Sequence, residues 1–307
     1  MNGLTVHRYQ FNCQTETALK LNDYSGSMLR GAFGRVLRKI SCVTNMDDCR
    51  QCLLYRQCAY PKLFETPAPE KSAFQKFSAI PNPYIIEPPP MGERVLNKGE
   101  WFSFSVILIG HANEQLGLII QAFKKALAHG LGKTHSPALL QNVVFEPQQA
   151  AESIIYYAQQ EALLPLPLFQ QPVLKQTEHV TLQLLTPLRI QRKGQVLSTT
   201  LSARDFLMAL VRRYYLLHEF YTDHYQVPEF ADLAQQATTI HCNAKLQWHD
   251  WDRYSSRQKQ KMTLGGVMGQ LELSGDLKPF WEIINAGQWL HVGNKTTFGM
   301  GHYQICV

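Results

Sequence analysis

The chain switches between stretches of period two and stretches of period 3.6, and the sequence of switches comes round twice. Leu4–Cys13 alternates apolar and polar positions as a half-buried strand does. After the break Asn22-Asp23-Tyr24-Ser25-Gly26, residues Met28, Leu29, Ala32, Phe33, Val36, Leu37 and Ile40 share one helical face. Arg30, Arg35, Arg38 and Lys39 lie on the opposite arc. A Pro-rich extended stretch with Pro81, Pro83 and Pro88-Pro89-Pro90 leads to a strand at Trp101–Ile109. An amphipathic helix from about Asn113 to Ala128 is stopped at Gly130. Strands near Leu140–Glu146 and Ser153–Ala158 close this half. Residues 161–177 carry three prolines and no apolar period, the composition of a linker. The second half opens with a strand at Val180–Leu185. Ser202 and Asp205 then form a capping box for a helix reaching about Tyr221. A short helix near Glu229–Gln236, strands at Thr239–Gln247 and Met262–Leu273, a helix at Pro279–Gly287 and a strand at His302–Val307 follow.

Strand–helix–strand–strand–helix–strand, twice, predicts an α+β chain of two tandem ferredoxin-like (βαββαβ) domains, 1–160 and 178–307, with a linker at 161–177. A length of 307 residues suits two domains of roughly 100–200 residues. A hydrophobic content of 45% excludes disorder, because either half can bury a core. No apolar run approaches the ~20 residues that span a bilayer, and the N-terminus MNGLTVHRYQF lacks the layout of a signal peptide. A cytoplasmic protein without a membrane partner is expected. The net charge of +6 is compatible with a polyanionic partner.

Of seven cysteines, Cys42, Cys49, Cys52 and Cys58 crowd into seventeen residues after the first helix. The spacing offers four thiolates within one loop that has little apolar content of its own. That combination predicts structural zinc supplying the loop's folding energy, with an iron–sulfur cluster as the alternative. No catalytic metal is expected, since such sites add His or carboxylate and an open position. Cys13, Cys242 and Cys306 read as small buried hydrophobes.

The segment 293–301 sets Gly293, Gly299 and Gly301 around Asn294, Lys295, Thr296 and Thr297. Such a loop either aims successive N–H groups at an anion or uses glycine for steric reasons in a tight turn before a strand. It is neither a P-loop nor a Rossmann turn. Trp251–Lys261 interleaves Arg253, Tyr254, Arg257, Lys259 and Lys261, a mix suited to phosphates and unpaired bases, or to a solvated hairpin loop. Arg192 and Lys193 stand in a turn, and Lys133 closes a second glycine-rich turn, Gly130-Leu131-Gly132-Lys133. Gly265, Gly266 and Gly269 mark a bulged or closely approached strand.

In order and spacing these strings resemble a known family. Ser27–Gly34, the four cysteines, Tyr60–Glu65, Leu185–Arg189, Trp251–Gln258, Leu264–Gly269 and Gly293–Gly301 are similar to a CRISPR-associated precursor-crRNA-processing endoribonuclease of the RAMP superfamily, zinc-loop subgroup. The resemblance implies binding of CRISPR repeat RNA and crRNA, and metal-independent cleavage. In that reaction the 2′-hydroxyl attacks the adjacent phosphate, leaving a 2′,3′-cyclic phosphate and a 5′-hydroxyl. It also implies contact with other CRISPR effector or adaptation proteins. Relatives often place a histidine on the first helix; this chain has Arg35 there. Catalysis is therefore expected from Arg35, Arg38 and Lys39 with Tyr24, or from a histidine brought from elsewhere, of which His218, His291 and His302 are candidates. Arg30, Lys133, Arg192, Lys193, the Arg253–Lys261 residues and the 293–301 loop are the expected RNA contacts. A non-catalytic RAMP subunit that binds crRNA within an effector complex is the competing reading, and a zinc-stapled interaction module the generic one.

Overall fold

The computed structural model describes residues 3–67, 80–147, 151–167, 175–192, 194–223, 225, 227–255 and 260–306, with the backbone alone for 252–255 and 260–262. The chain forms two compact units, Thr5–Pro172 and Val173–Val307, the latter together with Met1–Leu4.

The first unit runs β1 (Val6–Thr15), β2 (Leu19–Leu21), α1 (Gly26–Ser41), α2 (Ala59–Phe64), β3 (Tyr84–Glu87), β4 (Arg94–Leu96), β5 (Trp101–Ile109), α3 (Leu116–His129), β6 (Ala138–Glu146) and β7 (Ser153–Tyr157). Its sheet has the order β3-β5-β1-β6-β7, antiparallel throughout. Without the added β7, that is the ferredoxin-like order, with the first and third strands of the motif in the centre. The period-two pattern of β1 sets its faces: Tyr9, Phe11 and Cys13 are buried, while Arg8, Gln10 and Asn12 are half-buried on the other side. Aromatic rings fill the layer between sheet and helices. Phe33 of α1 stacks on Phe123 of α3 with centroids 4.6 Å apart, and Phe11 on Phe104 at 5.1 Å. At Gly34 a Cβ would lie 2.3 Å from the Phe64 ring, so the missing side chain lets α2 lie against α1.

The second unit runs β8 (His179–Leu188), β9 (Gln191–Arg192), β10 (Gln195–Val196), α4 (Ala203–Tyr221), α5 (Phe230–Thr239), β11 (His241–Ser255), β12 (Gln260–Ser274), α6 (Trp281–Leu290) and β13 (Tyr303–Cys306). Its antiparallel sheet, β11-β12-β8-β13, repeats the same central arrangement. The capping box of α4 forms as expected: Asp205 N–H donates to Ser202 Oγ at 3.1 Å, and Ser202 N–H to Asp205 Oδ2 at 3.3 Å.

Two expectations are corrected. The strands expected to end at Gln247 and begin at Met262 continue as a ladder to the Ser255↔Gln260 pair. Trp251 is therefore a strand residue, 5% exposed, rather than part of an open loop. Polar residues occur at both alternating positions of this stretch, so it carries no period-two signal and reads as loop. Cys13 is buried as expected, but Cys242 is half-buried and Cys306 exposed, since β13 is an edge strand.

Candidate functional site

The 293–301 loop joins α6 to β13 through one 3-10 turn, Thr296–Phe298. Gly293, Lys295, Gly299 and Gly301 all have φ between 64° and 86°, the left-handed region. A Cβ would fall 2.4 Å from Arg189 O at Gly293, and 1.9 Å from Val292 O at Gly301. These glycines serve close backbone packing. Asn294 N–H donates to Arg189 O at 2.8 Å, Gly301 N–H to Pro187 O at 3.0 Å, and Phe298 and Gly299 N–H to carbonyls within the loop. Thr186 Oγ1 donates to Gly299 O at 2.7 Å and accepts from His302 N–H at 2.9 Å. Of the two sequence readings, steric need accounts for Gly293 and Gly301, and four loop N–H groups already have protein acceptors. Thr296 is buried, whereas Lys295 stands exposed at the tip.

The loop is riveted to β8 through an irregular stretch of that strand. Between the pairs Val267↔Leu188 and Gly269↔Leu184, β8 advances four residues while β12 advances two. The surplus contains Thr186 and Pro187, which make the bonds to the loop. Just beyond, Arg189 Nη1 donates to Gly265 O at 2.8 Å, so one residue holds the loop with its carbonyl and β12 with its side chain.

On α1 the expected cationic arc divides. Arg35 and Lys39 are exposed. Arg38 Nη2 instead donates to Met46 O (2.8 Å) and Asp47 O (2.7 Å) of the cysteine loop. Arg30 Nε donates to Tyr84 Oη at 3.0 Å, with its guanidinium 4.0 Å over the Phe64 ring. Tyr24, expected on the polar side, is 3% exposed and lies in the core. Lys133 is exposed on a turn closed by paired Leu131–Ser136 bonds. A Cβ at Gly132 would be 3.6 Å from Met28 Sδ, so this turn rests on the first turn of α1. The same turn presents His135, exposed and left-handed with φ 49°, which the sequence does not single out.

His218 is corrected as a site residue. It is 5% exposed within α4, its ring tilted against that of Tyr214 with centroids 4.3 Å apart, and its Nε2 has no hydrogen-bond partner among the described residues. Burial lowers its pKa to about 4, which leaves a neutral, sealed imidazole at neutral pH. His291 is fully buried, its Nδ1 3.1 Å from Met300 O, and its ring stacks on His302 at 4.7 Å. Arg192 is ion-paired with Asp205 at 3.1 Å. Lys193, Arg257 and Lys259 lie outside the described residues. For Arg253, Tyr254 and Lys261 the backbone alone is described, within β11 and β12.

Cys42, Cys49, Cys52 and Cys58 all line one cavity of about 280 Å³, shared with Arg38, Thr44 and Tyr60. Thr44 Oγ1 lies 3.3 Å from Cys52 Sγ. A hydrogen bond from the Asn45 backbone holds the Cys42 thiol below its ordinary pKa. The donor set suits a tetrahedral thiolate site. Among the described residues no helix is long and apolar enough to cross a membrane.

No curated protein matches the chain. Among solved structures it is similar to a Cas6 (TTHB231) product complex, at 16% identity and TM-score 0.59 over 98% of this chain and 100% of that one. It is also similar to a Cas6 (TTHA0078) product complex, at 15% identity and TM-score 0.55 over 98% and 99%. The third likeness is to a partial Cas6-RT-Cas1–Cas2 complex, at 14% identity and TM-score 0.53 over 98% of this chain and 46% of that one. These likenesses establish the tandem ferredoxin-like fold. Residues 4–168 match a family model described as an N-terminal domain, and residues 182–303 match that of the CRISPR-associated endoribonuclease Cas6. The second half of the chain therefore carries a domain of the CRISPR-associated endoribonuclease Cas6 family, and the first half matches a separate N-terminal-domain model.

Proposed function

We propose that this enzyme makes mature crRNA by cutting CRISPR repeat RNA without a metal, through attack of a 2′-hydroxyl on its own 3′-phosphate. The observation that carries the reading is the 293–301 loop, locked to β8 with Lys295 exposed at its tip: a fixed support for an RNA backbone. Arg35 and Lys39, the cations of α1 that remain exposed, are proposed to stabilise the charge that builds on the phosphorane. Arg38 and Arg30 are proposed to position α1 rather than touch RNA, because each already braces a neighbouring segment. His135, an exposed imidazole on the turn that rests on α1, is proposed as the group that transfers the proton. Structural zinc on Cys42, Cys49, Cys52 and Cys58 belongs to the same proposal. It would order a loop whose Val43 and Leu53 side chains are exposed.

The test is cleavage of the cognate repeat RNA in EDTA. We expect one cut, a cyclic phosphate, and no cutting when the scissile nucleotide is 2′-deoxy. Arg35→Ala or Lys39→Ala should lower the rate by 10²–10³-fold while binding changes little. RNA that binds tightly yet stays intact would favour the crRNA-binding subunit instead, the reading that the lack of a histidine on α1 supports.

A further inference from the structure

Trp248 is 40% exposed, yet its indole is held at two points. Its Nε1 donates to Asp250 Oδ1 at 2.7 Å, two residues along the same strand. Beneath the ring is Gly265 of β12, directly paired with Asp250 in the ladder. A Cβ there would come 2.3 Å from the Trp248 ring and 2.2 Å from Asp250 Oδ1. Only glycine leaves the space that lets the indole lie flat against the strand. An exposed tryptophan held flat by a hydrogen bond and a glycine notch has already lost the side-chain freedom that a contact would otherwise remove.

The surroundings define what that contact is. The carbonyl of the same Gly265 accepts from the Arg189 guanidinium, and Arg189 O accepts from Asn294 N–H of the 293–301 loop. A flat aromatic surface, a guanidinium and the proposed backbone-binding loop are therefore joined by successive direct contacts within one unit. Unpaired RNA needs that combination: a ring for a base to stack on, and cationic and polar groups for the phosphate beside it.

We propose that Trp248 is a stacking platform for one unpaired base of the bound RNA, set in place by Gly265 and Asp250, with Arg189 beside it. The inference rests on the repeat-RNA reading above and names one point at which that RNA is gripped.

The test is an abasic scan of the cognate repeat RNA, binding measured by fluorescence anisotropy, with the full-length wild type and the variants W248A, W248F and Gly265→Ala. For wild type we expect one unpaired position at which base removal weakens binding about tenfold. W248A should bind the intact RNA about tenfold more weakly and should lose sensitivity at that one position, while W248F keeps most of both. Gly265→Ala should resemble W248A, because its methyl displaces the indole. Unchanged binding by a folded W248A, or a single-position cost that persists in it, would overturn the inference. The proposed function would survive that outcome. It fails separately if wild type shows no affinity for repeat RNA.

Discussion

At His218 the fold turns an ionisable residue into a core one. Its pKa falls from the ordinary value near 6.5 to about 4 because burial disfavours the charged form. The unfolded chain therefore binds one more proton than the folded chain between these values. The stabilising effect is fully present above pH 6.5 and lost as the pH falls towards 4, amounting to at most about 3 kcal/mol. We expect His218→Leu to flatten the decline in melting temperature between pH 6.5 and 4 relative to wild type. His7 and His111, whose pKa values are also lowered by partial desolvation, leave a residual slope. An unchanged slope would contradict this. The same scale shows where sequence reading stops. The cationic arc of α1 was legible from spacing, but not its division. Arg30 is taken up by Tyr84, fifty-four positions away, and Arg38 by carbonyls of the cysteine loop. Such contacts leave no periodic trace. Trp248 and His135 were equally invisible: the first depends on a glycine across a strand pair, the second on a turn resting on a distant helix.

Among the elements, those with a strong period or a local signature were readable. Trp101–Ile109 has the expected bounds, and α4 opens on its capping box because both partners lie within four residues. The β11–β12 hairpin was too short in the reading because the sequence of its outer half has polar residues at both alternating positions. The glycine-rich loop was found from composition, yet its glycines answer to the carbonyls of Arg189 and Val292, which composition does not report.

Over the whole molecule the βαββαβ order recurs, and each half matches a separate family model. The four clustered cysteines belong to the Thr5–Pro172 unit alone, and that asymmetry makes the zinc proposal testable at this scale. Purified protein should hold about one zinc per chain. Removing it with a strong chelator should accelerate amide exchange through residues 42–65 and leave β8–β13 unaffected. Uniform exchange before and after removal, or a metal content far below one, would remove zinc from the proposal.

The two surplus residues of β8 carry a consequence for how this sequence can change by insertion and deletion. A regular strand tolerates paired deletions, since a two-residue slip keeps every side chain on its own face. Removing Thr186 and Pro187 together should therefore give a chain that still melts cooperatively, with a more regular β8–β12 ladder. Its 293–301 loop would be unmoored, and RNA affinity should fall at least tenfold in the same anisotropy assay. Retained affinity would show that the loop is held by other means. Along Leu184–Leu188 the count of residues is then the conserved quantity to look for among relatives, and their identities the variable one.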